Sequence, residues 1–312
     1  MLAINQTNAR ARTMSPASPG SPGEAYLASR VRYQDVGSAE IAYRTFGAGE
    51  PILLVHGWPL SGFTYRKLIP HLAGRFTCVA VDLPGAGDTR WRPNNDFSFT
   101  GQARNLLRFV DAIGLEPFHV VAHDTGATIA RALALLAPER VRKMALIGTE
   151  IPGHRPPWIP LFQRTVGLPG SHAVFSMLLR SRMFTRSAMG FGEVFADKRL
   201  LDGEFEEQFI APLRDSHHHR ESQFRYLRGL DWQLVDRLAQ DHARIKSPVL
   251  LIWGEQDTVF PAERARAMAS QLADCRGFRV VPGAKLLVHE EQPRIVADHV
   301  LELLRSESVR AV

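Results

Sequence analysis

The sequence predicts an α/β fold in which a mostly parallel, twisted sheet is flanked by helices. Short apolar runs alternate with segments of helical periodicity, which is the pattern of parallel strands joined by crossover helices. The apolar runs are predicted to be buried strands. A chain of 312 residues with 45% hydrophobic content can bury one large core, or a core with an inserted subdomain.

The predicted elements follow this alternation from about residue 28 onward. Residues 1–24 are rich in proline, glycine and serine and are expected to be disordered. Strands are predicted at 28–36, 40–46, 52–57, 76–83, 118–123, 141–148 and 248–254, and helices at 61–72, 98–113 and 125–136. Residues 25–150 and 241–312 thus form the two parts of one core.

The alternation stops between residues 151 and 240. This interval opens with P-G-H-R-P-P-W-I-P and continues with helical segments rich in phenylalanine. We expect an inserted helical cap that covers a ligand cleft. The alternative is an appendage that only stabilises the core.

Composition argues against several function classes. The net charge of +6 arises from scattered arginines without a nucleic-acid motif, so no nucleic-acid partner is predicted. No run is apolar enough for a membrane span or a signal peptide, which favours a cytoplasmic protein without a membrane partner. Cys78 and Cys275 are expected to be buried thiols. The histidines at 217–219 lack a ligand pattern and fit a solvated or cleft-lining helix, so neither metal nor cofactor is predicted.

The segment V-V-A-H-D-T-G-A-T places Asp124 at the apex of a strand–turn–helix elbow. Such an elbow exposes the side chain at its apex, beside the backbone N–H of the next residue, Thr125. The Asp124 carboxylate is therefore a candidate nucleophile. The alternative is a simple N-cap of the following helix.

Two further motifs complete a possible catalytic constellation. H-G-W-P follows a buried strand and places the Trp58 N–H where it can form an oxyanion hole with that of Thr125. W-G-E-Q-D follows another strand and supplies Asp257, which can orient an imidazole or merely cap a turn. The order of oxyanion hole, nucleophile and acid is that of an α/β-hydrolase, and the three motifs together are more specific than any one.

With these motifs, the chain resembles the α/β-hydrolase fold superfamily over residues 28–305, specifically its aspartate-nucleophile branch of epoxide hydrolases and haloalkane dehalogenases. The resemblance implies that Asp124 attacks an sp³ carbon of a largely apolar small molecule to form an alkyl ester. A histidine then activates water against the ester carbonyl. The substrate-binding residues expected from this comparison are His56, Trp158 and Tyr226.

The branch members differ in how they stabilise the leaving group. Epoxide hydrolases use two cap tyrosines, of which this chain offers Tyr226, while dehalogenases commonly use a tryptophan where this chain has Thr125. An epoxide is therefore slightly favoured, and haloalkane dehalogenation is a further alternative. Glu150 lies near the position of the acid in some dehalogenases and is a backup to Asp257.

The C-terminal segment P-G-A-K-L-L-V-H-E-E-Q-P departs from the branch. Alignment places Lys285 and Leu286 on the expected Gly-His pair, so the family histidine is missing. His289 is the candidate replacement base. The prediction is thus a cofactor-free hydrolase of an epoxide or related sp³ electrophile, and the alternative is a non-hydrolytic protein that binds a ligand or catalyses rearrangement or elimination.

Overall fold

The computed structural model describes residues 20–115 and 117–306, and within them nine strands form one sheet. The strands are β1 (Arg32–Asp35), β2 (Ala39–Phe46), β3 (Glu50–Val55), β4 (Phe76–Val81), β5 (Arg90–Trp91), β6 (Phe118–His123), β7 (Val141–Ile147), β8 (Val249–Gly254) and β9 (Cys275–Val281). Their order is β1-β2-β4-β3-β6-β7-β8-β9, with β5 paired to β2. β2 pairs antiparallel with β1, β4 and β5, and all pairs from β4 to β9 are parallel. The predicted fold class is confirmed.

Helices flank this sheet and fill the interval between β7 and β8. In the described part of the chain they are α1 (Pro22–Ala28), α2 (Ile69–Leu72), α3 (Phe99–Ala112), α4 (Thr125–Leu136), α5 (Trp158–Thr165), α6 (Ser171–Leu179), α7 (Arg182–Thr185), α8 (Ala211–Asp215), α9 (His217–Gly229), α10 (Trp232–Asp241), α11 (Ala262–Ala265), α12 (Ala267–Gln271), α13 (Val288–Glu291) and α14 (Pro293–Arg305). Short 3₁₀ segments at Gly62–Tyr65, Lys198–Leu201 and His242–Arg244 and a π-helical turn at Glu206–Ile210 complete them.

Several predicted elements shift in the structure. The helix expected at 61–72 is divided into a 3₁₀ turn and α2, and the strand expected at 28–36 is only β1, because α1 ends at Ala28. Residues 1–19 of the segment predicted to be disordered lie outside the described residues. The first described helix, α1, begins at Pro22, and Ser21 and Glu24 form a capping box at its start.

The core lies on both faces of the sheet. β6 and β8 are buried along their whole length, as expected for central parallel strands covered by helices on both sides. Cys78 is buried within β4, as predicted, whereas Cys275 is half-buried because β9 forms the edge of the sheet. Every helix among the described residues is too short or too polar to cross a bilayer.

The topology also determines where a ligand can bind. The chain runs from β3 to β4 on one side and returns to β6 on the other, so the order reverses between β3 and β6. In open parallel sheets, such a switch point leaves a crevice at the carboxyl ends of the strands. Trp58 follows β3 and Asp124 follows β6, so both lie at this crevice.

Candidate active site

Asp124 forms the sharp turn between β6 and α4. Its backbone has φ 52° and ψ −133°, and it is the one non-glycine residue with positive φ in the described part of the chain. Its side chain makes no capping hydrogen bond to α4, so the N-cap alternative is not observed. A non-glycine residue held in this conformation stores strain that is common at functional sites. The turn directs the carboxylate toward the crevice.

Two backbone amides flank the Asp124 carboxylate. The Trp58 N–H donates to Oδ2 of Asp124 over 2.9 Å and also to Oγ1 of Thr125 over 2.8 Å. Hydrogen bonds from the Thr125 and Trp58 amides lower the pKa of Asp124. The structure therefore brings the predicted oxyanion-hole donors together with the predicted nucleophile.

Burial has the opposite effect on the pKa of this carboxylate. Desolvation is the largest influence and raises the pKa of Asp124 well above its ordinary value, and the negative charge of Glu150 raises it further. Burial likewise raises the pKa of Glu150. Two carboxylates in one desolvated site resist being ionised together, so the pair is expected to hold one shared proton over a wide pH range.

The carboxylates open into a cavity between the sheet and the helices that follow β7. Most of its wall is apolar and aromatic, and Trp158, a predicted substrate contact, is part of it. Residues of the wall from this helical segment are Pro156, Trp158, Ile159, Phe162, Phe175, Leu179, Phe184, Ala188, Met189, Gly190, Phe191, Glu193, Val194, Leu230 and Trp232. Trp58, Pro59, Asp124, Thr125, Glu150, Val259, Phe260 and Leu286 complete the wall. Such a lining suits a largely apolar small molecule.

Asp257 lies beside this cavity, behind Leu286. Its Oδ1 accepts hydrogen bonds from the Val259 and Phe260 amides, both at 2.9 Å, while Oδ2 is buried without a hydrogen-bond partner. Both Asp257 and Leu286 adjoin Gly148: a β-carbon built there would lie 3.2 Å from Leu286 Cδ1 and 3.5 Å from Asp257 Oδ2. Burial raises the pKa of Asp257 to about 7. Leu286 and Asp257 Oδ2 thus both lie next to Gly148.

His289 is elsewhere, which corrects its expected position. It is fully buried in α13, and its Nε2 contacts the Thr64 hydroxyl at 2.8 Å. Its ring packs against His123 and Tyr65 rather than lining the cavity. α13 directs the His289 side chain into the core, so His289 does not reach the cavity that contains Asp124.

Two residues that were predicted to contact the substrate, His56 and Tyr226, do not line the cavity. His56 is buried, with Nδ1 donating to the Gly57 carbonyl and Nε2 accepting from the Leu83 amide, so both ring nitrogens brace the loops after β3 and β4. Tyr226 is fully buried, and its hydroxyl lies 2.9 Å from Thr125 Oγ1. It supports the turn from behind instead of facing the cavity.

The sequence interpretation missed a polar network behind Glu150. The Thr128 hydroxyl donates to Glu150 Oε2 over 2.5 Å, and Thr149 Oγ1 lies 3.0 Å from the same oxygen and 2.9 Å from the main-chain oxygen of Asp124. Arg131 donates to both threonine hydroxyls and to the Glu150 carbonyl. The signal was available, since Thr128 and Arg131 are the polar positions on one face of an otherwise small and apolar α4.

The described residues contain no group of three or more histidine, cysteine or acidic side chains arranged to hold a metal ion. His217 and His218 are exposed at the first turn of α9, and His219 there is half-buried. The polar groups at the cavity are the Asp124 and Glu150 carboxylates, neighbouring hydroxyls and backbone amides.

Comparisons with known proteins identify the family of the chain. The chain is 28% identical over 274 residues to haloalkane dehalogenase 2 of Mycobacterium tuberculosis, which covers 87% of this chain and 93% of the relative. It is 35% identical over 111 residues to a soluble epoxide hydrolase of a Corynebacterium species, covering 36% of this chain and 38% of that one. The crystal structure of a putative lipase from Acinetobacter baumannii superposes with a TM-score of 0.76 at 18% identity, over 90% of this chain and 93% of the other. Residues 50–292 match the alpha/beta hydrolase fold family, and the chain belongs to that family.

Proposed function

We propose that this protein is a cofactor-free hydrolase in which Asp124 attacks an epoxide or a related sp³ electrophile and forms an aspartyl ester. The observation that carries the proposal is the Asp124 carboxylate itself, which is held at a strained elbow, flanked by the Trp58 and Thr125 amides and open to an apolar cavity. A carboxylate in a dry cavity is a stronger nucleophile than one in water. The same amides would stabilise the oxyanion when the ester is hydrolysed.

The cavity wall supports the substrate class. Aromatic and aliphatic side chains exclude water and favour a neutral, apolar molecule over a charged one. The helices between β7 and β8 would act as the predicted cap, since they supply most of that wall. The dehalogenase and epoxide hydrolase relatives are consistent with an electrophilic carbon as the target.

A second candidate follows from Leu286. Its side chain is part of the cavity wall, at the sequence position that aligns with the histidine of the branch, and Asp257 Oδ2 is buried without a hydrogen-bond partner. Without an imidazole, an ester on Asp124 could persist, or the cavity could serve binding, rearrangement or elimination. This candidate keeps Asp124 and the cavity but removes hydrolysis as the outcome.

Intact-protein mass spectrometry tests the proposal. Incubation with a panel of apolar reagents should add to the wild-type protein the mass of one epoxide, or of the alkyl group of one alkyl bromide, on a peptide that contains Asp124. Asp124→Asn should abolish the adduct, because an amide is a poor nucleophile. Turnover in oxygen-18 water should leave the label in the Asp124 carboxylate, because water attacks the ester carbonyl.

The outcomes separate the two candidates. A transient adduct with product release supports hydrolysis, and a permanent adduct supports non-hydrolytic chemistry. Undiminished turnover by folded Asp124→Asn rejects both versions of the aspartyl-ester mechanism.

A further inference from the structure

The cavity contains one carboxylate, besides the proposed nucleophile, that shares its polar network. Glu150 follows β7 at the carboxyl edge of the sheet and is 2% exposed, yet it is part of the cavity wall beside Asp124. Thr149 links the two residues, because its hydroxyl lies 2.9 Å from Asp124 O and 3.0 Å from Glu150 Oε2. Glu193, the other acid of the wall, is instead paired with Lys285 and Thr258.

The support behind Glu150 fixes its position. Arg131 donates to the main-chain oxygen of Glu150 at 3.1 Å and to both threonine hydroxyls, with no direct hydrogen bond to the carboxylate, and its charge lowers the pKa of Glu150. Because Arg131 fills acceptor sites of these hydroxyls, the Thr128 proton is directed to Glu150 Oε2. A carboxyl group held in this way, buried and facing a reactive cavity, is suited to exchanging a proton.

The two carboxylates differ in their donors. Asp124 accepts from the Trp58 amide after β3 and from the Thr125 amide at the N-terminus of α4, whereas Glu150 accepts from two threonine hydroxyls and from its own backbone amide. Amides aligned with a helix N-terminus favour negative charge. With one proton between the two groups, the reactive arrangement is the one in which Asp124 carries the charge and Glu150 carries the proton.

We propose that Glu150 is the general acid and then the general base of the reaction, in place of the histidine that Leu286 has replaced; this inference rests on the proposed function. In the first step, an Asp124 oxygen bonds to an epoxide carbon and the carbon–oxygen bond of the ring breaks. The electron pair goes to the epoxide oxygen, which takes the proton of Glu150. The products are a hydroxyalkyl ester on Asp124 and a Glu150 carboxylate.

The second step restores both residues. The Glu150 carboxylate takes a proton from water as the water oxygen bonds to the ester carbonyl carbon of Asp124. The oxyanion is held by the Trp58 and Thr125 amides, and its collapse expels the product alkoxide, which takes the proton left on Asp124. The net reaction is epoxide and water to diol, with Glu150 again protonated and Asp124 ionised.

The test compares two leaving groups in Glu150→Gln. An epoxide oxygen needs a proton as it leaves, whereas bromide does not. Rapid-quench mass spectrometry should therefore show adduct formation from an apolar epoxide slowed by about 10²-fold or more, while adduct formation from an alkyl bromide is unchanged or faster. Breakdown of the ester formed from the epoxide should also slow, and Leu286→His in the same chain should restore breakdown, because an imidazole would supply the missing base.

A matched control is Glu193→Gln, which removes the other carboxylate of the cavity wall. It should change the epoxide and bromide rates by the same factor. Thr128→Val is a second probe that keeps Glu150: loss of the hydroxyl should slow epoxide opening more than bromide displacement.

Equal effects of Glu150→Gln on both reagents, in protein with a wild-type unfolding transition, would overturn the inference while leaving Asp124 in place. Absence of any adduct or turnover in the wild-type protein would instead reject the proposed function.

Discussion

At the scale of single residues, Asp257 and Leu286 form an incomplete pair. Asp257 keeps the backbone hydrogen bonds that position its carboxylate, while its second oxygen is buried without a partner. A buried acceptor without a donor costs about 1–3 kcal/mol. This arrangement is costly for folding alone, and a histidine at position 286 would satisfy it.

Leu286→His should therefore accelerate breakdown of the Asp124 ester. The new imidazole would donate to Asp257 Oδ2 and face the cavity, and a well-placed base contributes about 10²- to 10⁴-fold. Lys285 can remain, because its backbone does not have the positive φ that requires glycine and its ammonium pairs with Glu193 at 2.7 Å. The measurement is the lifetime of the adduct by mass spectrometry. Leu286→Gln, similar in size but not basic, is the control, and an equal lifetime in both variants would refute the expected pairing.

His289→Ala should affect stability rather than catalysis. The substitution removes a buried ring and its contact with Thr64, so we expect the free energy of unfolding to fall by about 1–3 kcal/mol. Denaturant unfolding measures this loss, and the adduct lifetime should stay at the wild-type value. Faster or slower ester breakdown with unchanged stability would reinstate His289 as the base.

At the scale of elements, the elbow depends on close approach between α4 and the end of β3. A β-carbon at Gly126 would lie 2.2 Å from the His56 carbonyl oxygen and 2.5 Å from that of Val55. Only glycine allows the first turn of α4 to lie this close to the strand. The same contact holds the Thr125 amide beside that of Trp58.

Gly126→Ala should consequently destabilise the protein by about 1–3 kcal/mol, because the helix must shift away from the backbone of β3. The shift would also move the Thr125 amide and slow adduct formation. Gly74→Ala is the matched control, since Gly74 is exposed, has no atom within 4 Å of an added β-carbon and does not have a positive φ. Urea unfolding of the two variants checks the difference, and equal stability would show that α4 accommodates the methyl group.

Elements differ in how well the sequence predicts them. β6 and α4 match their predicted bounds because a continuous buried run ends at a polar turn and is followed by small helical residues. β9 was missed because its residues are mostly half-buried, so no apolar run marks an edge strand that is held by pairing with β8. His289 could be located only with α13 in place, since its direction depends on packing against His123 and Tyr65.

At the scale of the whole molecule, the carboxyl edge of the sheet collects residues far apart in the chain. Four strands, β3, β6, β7 and β8, are each followed by one of these residues: Trp58, Asp124, Glu150 and Asp257. Because the carboxyl ends of parallel strands share one edge of the sheet, the order along the chain was sufficient to predict that the four residues lie at the same edge. What the order could not predict is which side chains face the cavity. That depends on the helices between β7 and β8, whose packing buries Tyr226 and exposes Trp158 to the cavity.

Concentrating titratable groups in the core also makes folding stability depend on pH. Burial lowers the pKa of His56 to about 4 and that of His123 to about 3, so these histidines bind more protons when unfolded and reduce stability as the pH falls through their ordinary range. Buried acids act in the opposite direction. Burial raises the pKa of Asp82 to about 6 and that of Asp257 to about 7, so both bind more protons when folded.

Asp257→Asn isolates one of these contributions. With a folded pKa of about 7 against an ordinary 3.8, Asp257 costs stability as the pH rises through this window, and the full cost applies above pH 7. At roughly 1.4 kcal/mol for each pKa unit, the upper limit is about 4 kcal/mol. Asparagine can keep the acceptor for the Val259 and Phe260 amides but carries no charge. The variant should therefore gain stability relative to wild type between pH 4 and pH 8, measured by urea unfolding at each pH.

The control is Glu263→Gln, at an exposed position of α11, whose stability relative to wild type should change much less with pH. A pH-independent difference for Asp257→Asn would mean that Asp257 is not held as a buried, unpaired carboxyl group.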